Sequence, residues 1–120
     1  MAKILVIEDN EQDRKIVKRF LSKAGYNDIS IAETGEEGVK KADLEKPELV
    51  ITDTKLPGID GFEVCKQIKE AKLTQNPKVI IITGSMDAVD AVKARKLGAD
   101  DYCAKTNDFA PLLKAVKQIL

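Results

Sequence analysis

The chain contains no histidine and only two cysteines, and its charge sums to zero, with twenty acidic and twenty basic residues. Without histidine, and with Cys65 and Cys103 far apart and lacking metal-type spacing, a zinc or thiolate metal centre is excluded as the main chemistry. The two cysteines lie inside periodic segments and read as reduced, partly buried thiols of a cytoplasmic protein. Zero net charge and the lack of a dense Lys/Arg run argue against direct nucleic-acid binding. Lys40-Lys41 and the Lys93, Arg95, Lys96 group read as solvated helix faces. No apolar stretch is long enough to span a bilayer, and the N-terminus lacks the pattern of a signal peptide. There is no internal repeat, low-complexity segment or interdomain linker, so the 120 residues are expected to form one domain, 1–120, with no output domain in this sequence.

What is present is an alternation of apolar β-rich runs with helix-period runs. Strands are predicted at Lys3–Ile7, Ile29–Ala32, Leu49–Thr52, Val79–Thr83 and Asp101–Ala104. Between and after them, spacings of three and four place Ile16, Val17, Phe20, Leu21 and Ala24 on one helical face, and Phe109, Leu112, Leu113, Val116, Ile119 and Leu120 on another. The punctuation agrees. Gly25 ends the first helix, Thr34 with Glu37 has capping-box spacing, Pro47 stops the second helix and Asp60 starts the third. Asp87 or Ser85 caps the fourth, Gly98 ends it, and Asp108 is expected to cap the fifth, whose first turn tolerates Pro111. Strands one, three and four are continuously apolar, as parallel strands covered on both faces must be. Right-handed helical crossovers then give a doubly wound, three-layer α/β domain of five parallel strands and five helices.

The ends of these strands carry the chemistry. Asp53 follows Leu49-Val50-Ile51-Thr52, and Glu8-Asp9 follows Ile4-Leu5-Val6-Ile7, so three carboxylates sit at the C-terminal edge of the sheet, where open parallel sheets bind ligands. Two carboxylates about 5 Å apart repel by roughly 3 kcal/mol at an effective dielectric near 20, so three together need a proton or a cation. An all-oxygen acidic cluster suits a hard divalent ion, Mg²⁺ with Mn²⁺ as the alternative. Lys105 lies just past the fifth strand and Thr83 ends the fourth, which brings an amine and a hydroxyl to the same rim. Cation, acids and hydroxyl together suit phosphoryl transfer, with Asp53 as the nucleophile and an acyl phosphate as the product. Each residue alone has a plainer role, as turn former, helix cap, surface charge or β-former. Four separate strands delivering them to one rim favours the joint reading.

At these residues the chain resembles the receiver domain of two-component response regulators, over its whole length. Glu8-Asp9 is similar to the family's acidic pair, Asp53 in Asp53-Thr54-Lys55-Leu56-Pro57-Gly58-Ile59-Asp60-Gly61 to its phosphoacceptor, Thr83-Gly84 to its switch hydroxyl and the small residue after it, and Lys105 to its lysine. The resemblance implies a flavodoxin-like fold with strand order 2-1-3-4-5. It implies Mg²⁺ on Asp9, Asp53 and the backbone carbonyl of Lys55, with Glu8 acting directly or through water. The implied donor is a phosphohistidine on a sensor histidine kinase or phosphotransfer protein, or a small acyl phosphate. Tyr102 resembles the family's aromatic switch, and the implied output surface is helix four, strand five and helix five, read by a downstream protein or an output domain. Such a domain catalyses its own phosphorylation and dephosphorylation without turning over an external substrate.

Where the family usually has proline after the lysine, this chain has Thr106, and a non-proline cis peptide costs roughly 2.5–4 kcal/mol. Both a trans bond with a shifted loop and a cis bond stay open from the sequence. Lys55 and Ser85 occupy the positions two residues after Asp53 and Thr83, which in the family flank the phosphoryl group. For Lys55 itself, a role beside the phosphate and a solvent-facing side chain are weighed equally. The rival classes are a phosphorylation-independent docking module, a phosphatase with an Asp nucleophile, and a nucleotide or flavin binder. A haloacid-dehalogenase-like phosphatase wants an acid where Lys55 stands, and the first strand leads into Glu8-Asp9-Asn10-Glu11 rather than a glycine-rich phosphate loop.

Overall fold

The structure is a computed structural model that describes residues 2–71 and 76–120. Five strands, β1 (Lys3–Ile7), β2 (Asp28–Ala32), β3 (Leu49–Asp53), β4 (Lys78–Thr83) and β5 (Asp101–Ala104), alternate with five helices. The helices are α1 (Glu11–Lys23), α2 (Gly35–Glu45), α3 (Gly61–Glu70), α4 (Ala88–Lys96) and α5 (Ala110–Ile119). All strand pairs are parallel, in the order β2-β1-β3-β4-β5. This is the flavodoxin-like doubly wound arrangement. β2, β3 and β4 each run one residue longer than the sequence pattern predicts. The extension of β3 brings Asp53 into the sheet itself, paired with Ile82.

Alternation along the strands builds two cores. On one face Ile4, Val6, Leu49, Ile51, Ile80 and Ile82 pack under α1 and α5, and on the other Leu5, Ile7, Val50, Val79 and Ile81 pack under α2, α3 and α4. β1 and β3 are buried along nearly their whole length, which is why both read as unbroken apolar runs. The outer strand β2 is exposed or half-buried up to Ala32. Among the described residues no helix is long and apolar enough to cross a membrane.

The starts of α2, α3 and α4 follow the predicted chemistry, and α1 is capped in the same way. Asn10, Thr34, Asp60 and Asp87 each accept a backbone N–H from the first turn of α1, α2, α3 and α4 respectively. α1 ends in a Schellman motif, in which the Tyr26 N–H reaches the Leu21 carbonyl and Gly25 takes φ +97°. The fifth helix departs from expectation. Its cap position is Phe109, in the left-handed region at φ 51°, rather than Asp108. Burial of the Phe109 ring in the α1–α5 core accounts for this, because it is worth about 1.5–3 kcal/mol against a left-handed cost of about 1–2 kcal/mol. Asp108 still accepts the Ala110 N–H at 3.1 Å and the Thr106 hydroxyl at 2.9 Å, and these bonds hold its carboxyl below the usual range.

Gly61 fixes the turn that leaves the Asp53 strand. A Cβ there would lie 2.0 Å from the Asp53 carbonyl oxygen and 3.1 Å from the Thr54 Cα, both backbone atoms that cannot swing aside. Replacing Gly61 by Ala is therefore expected to destabilise the domain by about 1–3 kcal/mol in urea unfolding. A midpoint and slope equal to wild type would mean that the β3–α3 connection yields freely.

Candidate functional site

Parallel strands all end on one side of the sheet, and the hydrogen-bond ladder continues one residue beyond several of them. The Glu8 N–H bonds the Ala32 carbonyl, the Thr54 N–H the Ile82 carbonyl and the Lys105 N–H the Thr83 carbonyl. The residues that carry the chemistry are thus held by sheet bonding although they lie at or past the strand tips.

The acids converge as predicted. Glu8, Asp9 and Asp53 each offer a carboxylate oxygen, and the three oxygens lie within 4.8 Å of one another. Glu8 is fully buried, Asp53 is buried and Asp9 is exposed. Three hard oxygen donors with no nitrogen or sulfur in the group fit Mg²⁺ or Mn²⁺, and the exposed Asp9 leaves the site open to solvent and to an anionic ligand.

Lys105 reaches the same place from β5. Its ammonium bonds Asp53 Oδ2 at 2.8 Å, Asp13 Oδ2 at 2.9 Å and Glu8 Oε1. Among the described residues no peptide bond is cis, so Lys105–Thr106 is trans. Burial works against the charge on Lys105, but its bonds to Asp53, Glu8 and Asp13 outweigh it and hold the pKa above the ordinary lysine value. Burial also pushes the Glu8 carboxyl up to about 7. The Lys105 bond opposes that rise, and the Asp53 charge adds to it.

The other Asp53 oxygen faces β3–α3. Oδ1 accepts the Lys55 N–H at 3.4 Å and the Thr54 hydroxyl at 3.5 Å. Thr83 is buried, and its hydroxyl donates to the Ser85 carbonyl and accepts the Ser85 N–H, both at 3.1 Å. Asp53, Thr54, Lys55, Thr83, Gly84, Ser85 and Lys105 line a cavity of about 320 Å³. The Lys55 side chain is exposed. Tyr102 is half-buried against the core beneath α4, and its hydroxyl is buried with no hydrogen-bond partner among the described residues.

Asp13, Arg14 and Thr54 belong to the site although the sequence pattern did not single them out. Arg14 donates to the carbonyls of Glu8, at 3.1 Å, and Asp9, at 2.8 Å, and so ties down the backbone of the acid pair. Asp13 and Arg14 both lie in the first turn of α1, and helical side chains lean back toward the N-terminus, which carries these two over the β1 tip. The two cysteines take no part. Both are free and buried, and burial pushes Cys65 up to about 11 and Cys103 up to about 12, so both are neutral thiols at pH 7.

Comparison with known proteins agrees with this geometry. The family model of the response regulator receiver domain matches residues 4–117. The chain belongs to that family. Among curated proteins, this receiver domain is 40% identical over 118 residues to the alkaline phosphatase synthesis transcriptional regulatory protein PhoP of Bacillus subtilis, covering 98% of this chain and 48% of that protein. It is 34% identical over 120 residues to protein PilH of Pseudomonas aeruginosa, covering 100% of this chain and 98% of PilH. The domain thus spans about half the length of PhoP and nearly all of PilH. Among solved structures, the response regulator TrrA of Thermotoga maritima in complex with Mg²⁺–BeF matches with a TM-score of 0.89 at 35% identity, covering 100% of both chains.

The raised Glu8 pKa has a testable sign. In the metal-free protein the folded state keeps a proton on Glu8 up to about pH 7, whereas the unfolded chain releases it near 4.5. The folded state therefore binds more protons in that window, and stability falls as pH rises through it. At about 1.4 kcal/mol per pH unit the loss is on the order of 2–3 kcal/mol. The Glu8→Gln variant is expected to lose this slope between pH 4.5 and 7 in denaturant titrations. Parallel curves for variant and wild type would contradict the assignment.

Proposed function

We propose that this receiver domain accepts a phosphoryl group on Asp53 from a phosphohistidine donor in a Mg²⁺-dependent reaction, and that the modification alters the surface formed by α4, β5 and α5. The observation that carries the reading is the double approach to one carboxylate. Carboxylate oxygens of Glu8 and Asp9 lie within 4.8 Å of one on Asp53, and the Lys105 ammonium bonds Asp53 Oδ2 at 2.8 Å.

An Asp53 carboxylate oxygen attacks phosphorus, the phosphorus–nitrogen bond of the donor breaks and its electron pair stays on the imidazole. Glu8, Asp9, Asp53 and the Lys55 backbone carbonyl would hold the ion. When bound, Mg²⁺ neutralises charge on the transferred group. Lys105 keeps Asp53 oriented before the reaction and offers an N–H to a phosphoryl oxygen after it. The Lys55 and Thr54 groups that now touch Asp53 Oδ1 border the space the new oxygens enter. Hydrolysis of the acyl phosphate by water returns the carboxylate, so the domain catalyses its own modification and reversal and is not a turnover enzyme.

In this reading the signal leaves through Thr83. Its hydroxyl exchanges the Ser85 carbonyl for a phosphoryl oxygen, which draws the end of β4 toward Asp53. Tyr102 then repacks beneath α4, where its hydroxyl now lacks a partner. Such a change shifts a pre-existing equilibrium by the difference in interaction energy between two states. The partners are a sensor histidine kinase or phosphotransfer protein upstream, in the cytoplasm, and a downstream protein or output domain.

Acetyl phosphate with Mg²⁺ is expected to label the wild type once, at Asp53, and Asp53→Asn is expected to abolish labelling with the fold retained. Labelling of the variant at wild-type stoichiometry would refute the acceptor assignment, and a wild type that never labels would favour the docking-module reading. For the switch, beryllofluoride with Mg²⁺ is expected to shift amide resonances from Asp53 through β4 to α4 and Tyr102. In Thr83→Ala the shifts near Asp53 should persist while those at α4 and Tyr102 shrink. Undiminished distal shifts would remove Thr83 from the route.

A further inference from the structure

An ammonium has three N–H donors and no acceptor. All three donors of Lys105 are accounted for by carboxylates, those of Glu8, Asp13 and Asp53. The three acceptors differ in what surrounds them. Glu8 and Asp53 belong to the trio whose oxygens lie within 4.8 Å of one another, a group that does not include Asp13. Asp13 instead stands on α1, its own N–H held by the Asn10 cap at 2.9 Å, and its carboxylate is about a third exposed beside the largely buried Lys105 side chain.

We infer that Asp13 is a positioning residue for Lys105, aiming the ammonium at the atom where the phosphoryl group forms. This rests on the phosphoryl-acceptor reading of Asp53. Lysine carries a long stem with up to about 2 kcal/mol of rotamer entropy, and a single anchor leaves the head free to turn. The Lys105 backbone N–H is held on the Thr83 carbonyl, which fixes where the side chain starts but not where its ammonium points. Two fixed donors define the third direction of a tetrahedral ammonium. With one N–H on Glu8 and one on Asp13, the third points at Asp53 Oδ2. Once an Asp53 oxygen is esterified to phosphorus it is a poorer acceptor. Glu8 and Asp13 are then the carboxylates left to keep the ammonium turned toward the new phosphoryl oxygens. Asp13 also opposes phosphorylation to some degree, since it adds negative charge near an incoming anion, and the two effects have opposite signs in a rate measurement.

The test is Asp53 labelling by acetyl phosphate across donor and Mg²⁺ concentrations in wild type, Asp13→Ala, Asp13→Asn and Asp13→Glu, with urea unfolding of each. Asp13→Ala is expected to lower the saturating rate constant about 10-fold, the scale of a misplaced catalytic group, while half-saturating donor and Mg²⁺ concentrations change less than about 2-fold. Asp13→Asn, whose amide oxygen still accepts from the ammonium, is expected to recover most of the rate, and Asp13→Glu part of it. A saturating rate constant unchanged in Asp13→Ala, with only unfolding affected, would make Asp13 a helix-terminus charge and overturn the inference. Acceleration in both Asp13→Ala and Asp13→Asn would overturn it too, by leaving repulsion as the sole effect. A wild type that does not label would refute the acceptor reading beneath it, a result distinct from either.

Discussion

One half-buried cation, Lys105, holds this site together. Glu8 is fully buried, Asp53 nearly so, and their carboxylates share a small space with Asp9. Buried charge is costly unless it is paired and hydrogen-bonded, and mutual repulsion among the acids adds to that cost. Lys105 offsets part of both terms, because each oxygen it touches gains a charge-assisted bond and each pair of acids gains a shared counter-charge. It does so across 97, 92 and 52 residues of sequence to Glu8, Asp13 and Asp53. Contacts that distant in the chain require the sheet order to be right. β1, β3 and β5 must all end on the same edge for the network to close, and right-handed crossovers between parallel strands make them do so.

The arrangement divides Asp53 between two environments. Oδ2 faces the ammonium, and Oδ1 faces the Lys55 N–H and the Thr54 hydroxyl at longer range. The strong bond fixes the plane of the carboxylate, while the weaker pair leaves the second oxygen accessible from the cavity toward Thr83 and Ser85. A carboxylate so held is oriented before any donor arrives, and orientation is a large part of what phosphoryl transfer asks of a protein.

The sheet was readable in advance because its inner strands are buried on both faces and carry runs such as Val79-Ile80-Ile81-Ile82 that solvated segments do not. The starts of α2, α3 and α4 were readable because Thr and Asp side chains cap by a local rule. The fifth was not, since tertiary burial of Phe109 set its geometry against the local preference for Asp108. Site residues at strand tips were legible for a similar reason: a strand end has one place to be. Asp13 and Arg14 were not. Periodicity assigns a helical residue to a face, but it does not say that a first-turn side chain leans back across the preceding loop to meet a lysine from the far end of the chain. The Thr106 position was also beyond sequence, because trans and cis backbones have the same spelling.

The helices pack unevenly on the sheet. α3 buries Phe62, Val64, Cys65 and Ile68, whereas α4 buries Ala94 alone and leaves Val89 and Val92 half or more exposed. The small residues of α4 leave it few large buried contacts, and its valines turn toward solvent. Beside it, the half-buried Tyr102 places its hydroxyl in the core, where it has no hydrogen-bond partner among the described residues. Tyr102 pairs with Ile81 of β4, whose last residue, Thr83, touches the hydroxyl of Thr54, the residue after Asp53. The ion-paired network around Lys105 and the thinly buried helix α4 thus both adjoin β5, one held by charge-assisted bonds and the other by a single buried alanine.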